Sequence, residues 1–174
     1  FCYPISSIGA HVSAVPNHQV YRDTPIATRA NVAHFGTFGY ELDLNKLSDD
    51  ERGQVREQIK FMKEYREVLQ FGDFYRLQSP FDGNFLAWMV VSPDKKTALV
   101  GWYKVLNEVD GPFRRMRLQG LDPAFRYRVD GGPGHYGDEL MNAGLVVTDS
   151  AAGQCQSFER ESCDFDSHIF VLKA

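Results

Sequence analysis

Residues 48–77, SDDERGQVREQIKFMKEYREVLQFGDFYRL, hold the change of pattern on which the fold turns. Ser48 can bond the backbone at Glu51 while Glu51 reaches back to Ser48, a reciprocal helix start. Behind it Val55, Ile59, Met62 and Leu69 recur at helical spacing. The spacing predicts a helix running to Phe71, where Gly72 ends it. At 1.5 Å per residue such a helix is about 30 Å long, the length of an outer helix in an α/β barrel. After Gly72 the apolar period becomes two. Met116 and Leu118 alternate with Arg115, Arg117 and Gln119, and Phe125, Tyr127 and Val129 alternate with Arg126, Arg128 and Asp130. Both read as half-buried antiparallel strands with the arginines outside.

Upstream of the helix the grammar is strand then helix. Ser6 to Val12 reads as a short strand, and residues 16–23 as a polar loop. Thr24 is placed to cap a helix opening at Pro25, whose missing N–H costs nothing there. Ile26, Ala30 and Ala33 give that helix its apolar face; Gly36 and Gly39 are expected to stop it before a strand over Tyr40 to Leu44. Downstream, residues 88–91 and 98–103 flank Pro93-Asp94-Lys95-Lys96 as a hairpin. Gly111-Pro112, Gly120, Asp122-Pro123 and 131–134 punctuate the chain at strand spacing, and Ile169 to Leu172 closes it as a core strand. The expected organisation is an α/β segment, 1–72, forming the last strand–helix units of a TIM barrel, then an all-β antiparallel sandwich, 73–174. Two such units of eight leave parallel strands in need of neighbours.

The 174 residues, 43% hydrophobic and 24% charged, have an ordinary globular composition. A formal charge of −4 provides no basic field for nucleic acid, and no apolar run spans a bilayer. The chain opens with Phe1 in apolar sequence, which carries the expectation of a longer protein. Cys2, Cys155 and Cys163 include no C-x-x-C pair, so no metal or other cofactor is expected. Cys155 and Cys163 can close a small disulfide loop, or stay reduced in the cytoplasm, the expected location.

Longer stretches are more specific. Tyr3-Pro4-Ile5-Ser6-Ser7-Ile8-Gly9-Ala10-His11-Val12-Ser13 followed by Val15-Pro16-Asn17-His18-Gln19 resembles the segment after the acid/base aspartate in α-galactosidases of glycoside hydrolase family 36. Phe38-Gly39-Tyr40-Glu41-Leu42-Asp43 is similar to that family's eighth barrel strand. Residues 71–77 resemble its entry to the C-terminal domain, and residues 138–145 match another of its runs. Where such sequences read His-Gln-Thr-Gly-Arg, this chain has His18-Gln19-Val20-Tyr21-Arg22, losing a glycine and its conformational freedom. Residues 151–163 look like an insertion.

The resemblance implies the C-terminal part of a retaining α-galactosidase acting on galacto-oligosaccharides of the melibiose and raffinose type. Retention needs two carboxyl groups about 5–5.5 Å apart. In the family both lie upstream of this stretch, so the chain alone is expected to be inactive, with no catalytic residue of its own and the missing N-terminal part as its partner. The resemblance also implies a homo-oligomer.

Candidate substrate-binding residues are His11, at the expected C-terminal end of a barrel strand, and Asn17, His18 and Arg22 in the loop after it, whose donors suit sugar hydroxyls. His11 is equally read as a histidine bonded to a neighbouring loop, and the other three as solvated loop residues or contacts within an oligomer. Glu41 and Asp43, two apart on one strand, would share a side. Retention needs groups on opposite sides of the anomeric carbon, so both are read as structural. Trp88 and Trp102 can stack on sugars, but apolar strand runs favour core packing. Arg114, Arg115 and Arg117 are read as a solvated strand face. The competing function is a non-catalytic carbohydrate-binding β-sandwich, and the strand–helix grammar of 1–72 argues against it; a purely structural interaction module is a third reading, open for the β domain taken alone.

Overall fold

The computed structural model describes residues 3–107, 114–147 and 164–174. The three cysteines, the possible Cys155–Cys163 disulfide and the 151–163 insertion lie outside the described residues. The chain divides into two compact units, Phe1–Gly72 and Asp73–Ala174.

In the first unit, β1 (Gly9–Ser13) and β2 (Thr37–Glu41) pair in parallel through α1 (Ile26–Ala33), and α2 (Asp49–Phe71) follows. Val12 on β1, Ile26, Ala30 and Ala33 on α1, and Val55 on α2 form one buried cluster. Three boundaries depart from the sequence reading. Residues 5–7 make a single 3-10 turn, closed by Ser7 N–H and hydroxyl on the Pro4 carbonyl, so β1 starts at Gly9 and not at Ser6. Helix α1 starts one residue late: Pro25 is its N-cap in extended geometry, and the Pro25 carbonyl accepts the Arg29 N–H. Gly39 lies inside β2 rather than ending a helix, because Thr37 N–H already bonds the Ile8 carbonyl just ahead of β1. Gly36 permits that approach, since a Cβ there would sit 2.8 Å from both the Ala10 Cβ and the Ile8 oxygen.

Helix α2 runs as its sequence predicts. Ser48 Oγ accepts from Glu51 N–H at 3.2 Å, and the Glu51 carboxylate accepts from Ser48 N–H at 2.9 Å. Val55, Met62 and Leu69, seven apart, are buried. Ile59, at the margin of that stripe, is 37% exposed.

The second unit is an antiparallel β domain. Strands β3 (Asp73–Gln78), β4 (Phe85–Val91), β5 (Thr97–Lys104), β7 (Arg126–Val129), β8 (Gly134–Tyr136) and β10 (Asp166–Lys173) make a six-stranded sheet in the order β3-β4-β5-β10-β7-β8. Strands β6 (Arg114–Met116) and β9 (Leu145–Val147) pair separately, and α3 (Gly137–Asn142) precedes β9. Met89, Trp102, Met116, Leu118, Tyr127, Leu140, Val147 and Leu172 share one core. Met116 and Leu118 are inside while Arg115 and Arg117 are exposed, as the alternation dictates. The antiparallel β domain expected of 73–174 thus has one sheet of six strands and one of two. Strand β6 stops after three residues because Leu118 N–H bonds the Leu140 carbonyl of α3 rather than a neighbouring strand.

Candidate functional site

The parallel pair β1–β2 sets the site. Register places His11 opposite Gly39 and Ser13 opposite Glu41. Val12 turns inward to the helices, so residues 9, 11 and 13 of β1 and 37, 39 and 41 of β2 line the other face. That face is polar and open. The His11 ring lies over Gly39, where an added Cβ would come within 3.5 Å of its Cδ2. Its Nδ1 is 3.7 Å from the Glu41 carboxylate, with both side chains more than half exposed. The separation is too long for a hydrogen bond. Because β1 is shifted along the chain, His11 is its central residue and not its C-terminal one.

The loop leaving β1 is folded on itself. Asn17 Oδ1 accepts from Gln19 N–H at 3.0 Å and Val20 N–H at 3.2 Å. Asn17 N–H donates to the Arg22 carbonyl, and Tyr21 N–H to the Asn17 carbonyl. Asn17, predicted to meet sugar, therefore holds the loop with its side-chain oxygen. His18 and Arg22 are exposed on the same loop. No hydrogen bond among the described residues joins these three to His11.

Tyr21, standing where the glycine of similar sequences would be, adopts φ 54° while 83% exposed. That is the left-handed region, which suits glycine better than a residue bearing a side chain.

Arg29 was not singled out from sequence. From α1 its Nη1 donates to the Ser13 carbonyl and its Nε to the Thr24 carbonyl at 2.8 Å, tying together the two ends of the loop. Burial draws its guanidinium below the usual arginine value, while the carboxylates of Asp23 and Glu51 act the other way. The available signal was a cation three residues after Ile26 on an otherwise apolar helix face.

Glu41 and Asp43 do not share a strand. Strand β2 ends at Glu41, and Asp43 Oδ1 caps a single 3-10 turn by accepting from Asn45 N–H at 3.0 Å. The two carboxylates are thus assigned to different tasks. Trp102 is 3% exposed in the core of the β domain. Trp88 sits on the opposite face of the sheet, half-buried, with its ring 4.6 Å from that of Tyr103. Core burial leaves Trp102 no face for a sugar. Arg114 lies over the Phe85 ring at 3.7 Å, apart from the exposed Arg115 and Arg117. Among the described residues no cluster of His, Cys, Asp or Glu is arranged to hold a metal, and no helix is long and apolar enough to cross a membrane.

Residues 1–72 match the Melibiase family model, and residues 86–172 match that of the glycosyl hydrolase family 36 C-terminal domain. The chain belongs to glycoside hydrolase family 36. Among its relatives, this family 36 chain is 47% identical over 172 residues to alpha-galactosidase AgaA of Geobacillus stearothermophilus, covering 99% of the chain and 22% of that enzyme. It is 44% identical over 148 residues to the bifunctional alpha-galactosidase/sucrose kinase AgaSK of Mediterraneibacter gnavus, covering 84% of the chain and 16% of the relative. Its structure superimposes on that of AgaA in complex with raffinose with a TM-score of 0.89 at 46% identity, over 99% of the chain and 22% of AgaA. The alpha-galactosidase from Lactobacillus brevis gives 0.92 at 46% identity, over 99% of the chain and 23% of that structure. The family 36 chain thus spans about a fifth of the length of these relatives.

Proposed function

We propose that the chain is the C-terminal part of a retaining α-galactosidase, with 1–72 completing a (β/α)8 barrel and 73–174 forming its terminal β domain. The observation that carries this reading is the 47% identity to AgaA over 99% of the chain. The parallel order β1–α1–β2–α2, with a polar face on the strands and an apolar one toward the helices, supports the barrel assignment. In this reading the open face of β1–β2 looks into the barrel. His11 lines the galactoside pocket, with its ring set by Gly39 and biased by Glu41. Asn17, His18 and Arg22 belong to the loop at the mouth, where Asn17 shapes the loop and His18 and Arg22 offer donors to sugar hydroxyls. Arg29 is a positioning residue for that loop.

Retention requires a nucleophile and an acid/base on opposite sides of the anomeric carbon. Glu41 turned to His11 and Asp43 capping a turn supply neither, so both groups come from the preceding part of the enzyme. Family resemblance adds a homo-oligomeric assembly, and free thiols would suit a cytoplasmic location.

A chimera tests the reading. This chain replaces the corresponding last fifth of AgaA, and hydrolysis of a nitrophenyl α-galactoside is measured. The chimera is expected to turn over and the isolated chain is not. A folded but inactive chimera, or an isolated chain whose activity disappears in Glu41→Gln, overturns the assignment.

A further inference from the structure

The edge hairpin β7–β8 of the β domain presents charge that its own fold does not use. Strand pairing sets Arg128 opposite Gly134 and Arg126 opposite Tyr136, so both arginines lie on one face. Tyr127 between them points to the other face. It is fully buried, and its hydroxyl donates to the Lys95 carbonyl at 2.7 Å and accepts from Asp122 N–H at 3.0 Å. The strand that carries the arginines is therefore fixed from below.

Arg126 lies across Gly134. Its Nε donates to the Gly134 carbonyl at 3.4 Å, and a Cβ built on Gly134 would come within 2.7 Å of that nitrogen. The two guanidinium-bearing side chains thus flank one residue that has no side chain. The result is a hollow of about 310 Å³ lined by Arg126, Arg128, Gly132, Pro133 and Gly134. Among the described residues no carboxylate lines it, and neither arginine has an ion-pair partner. The nearby acids are otherwise engaged: Asp130 accepts from the Val171 N–H and contacts His168 Nε2 at 2.8 Å, and Glu139 contacts His135 Nδ1 at 2.9 Å. Two unneutralised guanidinium groups side by side repel in an otherwise acidic chain of charge −4. A ligand with anionic oxygens removes that repulsion and accepts from both planar forks.

We propose that this hollow binds a phosphate group, either free phosphate or the phosphate of a sugar ester. The volume, at the low end for ligand sites, fits a phosphate or a hexose monophosphate. Its glycine and proline lining lets the ligand approach the backbone closely.

The test is an amide-NMR titration of the full chain with inorganic phosphate and, separately, a hexose monophosphate, against chloride at equal ionic strength. Shifts concentrated in residues 126–134 are expected with both phosphates and not with chloride, with dissociation constants on the order of 1 mM. Arg128→Gln removes a fork at an exposed position, and Gly134→Ala fills the hollow without changing charge. Each is expected to weaken binding by about tenfold or more, while Arg115→Gln, on another strand, leaves it unchanged. A hexose phosphate bound more tightly than inorganic phosphate identifies an ester as the ligand, and equal binding identifies the free anion. Identical responses to phosphate and chloride, or unchanged binding in both hairpin variants, overturn the proposal.

Discussion

Tyr21 holds φ 54° with its ring in solvent, and a left-handed conformation costs a side-chain-bearing residue about 1–2 kcal/mol. Its N–H is bonded to the Asn17 carbonyl, so the strain is readable locally. Tyr21→Gly is expected to slow exchange of that amide about fivefold, from a gain of about 1 kcal/mol after the extra chain entropy of glycine. His34 makes a second residue-scale case. It is 2% exposed, stacked on Phe38 at 4.5 Å between ring centres, and burial draws its pKa down from 6.5 to about 4. The unfolded chain binds the proton first as pH falls. The neutral ring's contribution is thus intact above about pH 6.5, and up to about 3 kcal/mol is lost as pH drops from there through 4. NMR of the His34 ring should show no protonation until near pH 4. His34→Phe should flatten the acid limb of the stability profile.

Elements divide by how local their causes are. Both halves of the capping box on α2 lie within four residues, and the box was legible as written. Ser48→Ala is expected to cost about 1 kcal/mol of stability. In the same helix Gly53 has open space where a Cβ would go, so Gly53→Ala is expected to add up to about 1 kcal/mol. Thermal unfolding followed by circular dichroism checks both. The hairpin β4–β5 and the inward sides of β6 and β7 were legible for the same reason, since a period of two fixes the face. The start of β1 and the extent of β2 were not. They depend on Thr37 reaching the Ile8 carbonyl and on Gly36, where an added Cβ would sit 2.8 Å from the Ala10 Cβ, contacts between segments about thirty residues apart in sequence. The site follows the same division. His11 and the 17–22 loop were visible as residues. The Gly39 floor beneath His11, the two anchor bonds of Arg29 and the separation of Glu41 from Asp43 exist only once β1 and β2 are side by side.

At the scale of the whole molecule, the β domain depends on β10. Leu172, fully buried, is opposite both Ala98 of β5 and Val129 of β7. Leu172→Ala is expected to cost about 2–5 kcal/mol by transfer and cavity terms, and denaturant unfolding should show a midpoint shift at unchanged slope. The order β3-β4-β5-β10-β7-β8 also carries a consequence for biosynthesis. The last strand of the sheet to be translated lies in its middle. A ribosome adding about 5–20 residues per second takes about 3–12 s to travel from Lys104 to Asp166. Throughout that interval the apolar β5, already zipped to β4, offers an unpaired edge to any other nascent chain on the same message. Slowing translation between these points should raise the aggregated fraction, and faster passage should lower it, with no change in the finished protein.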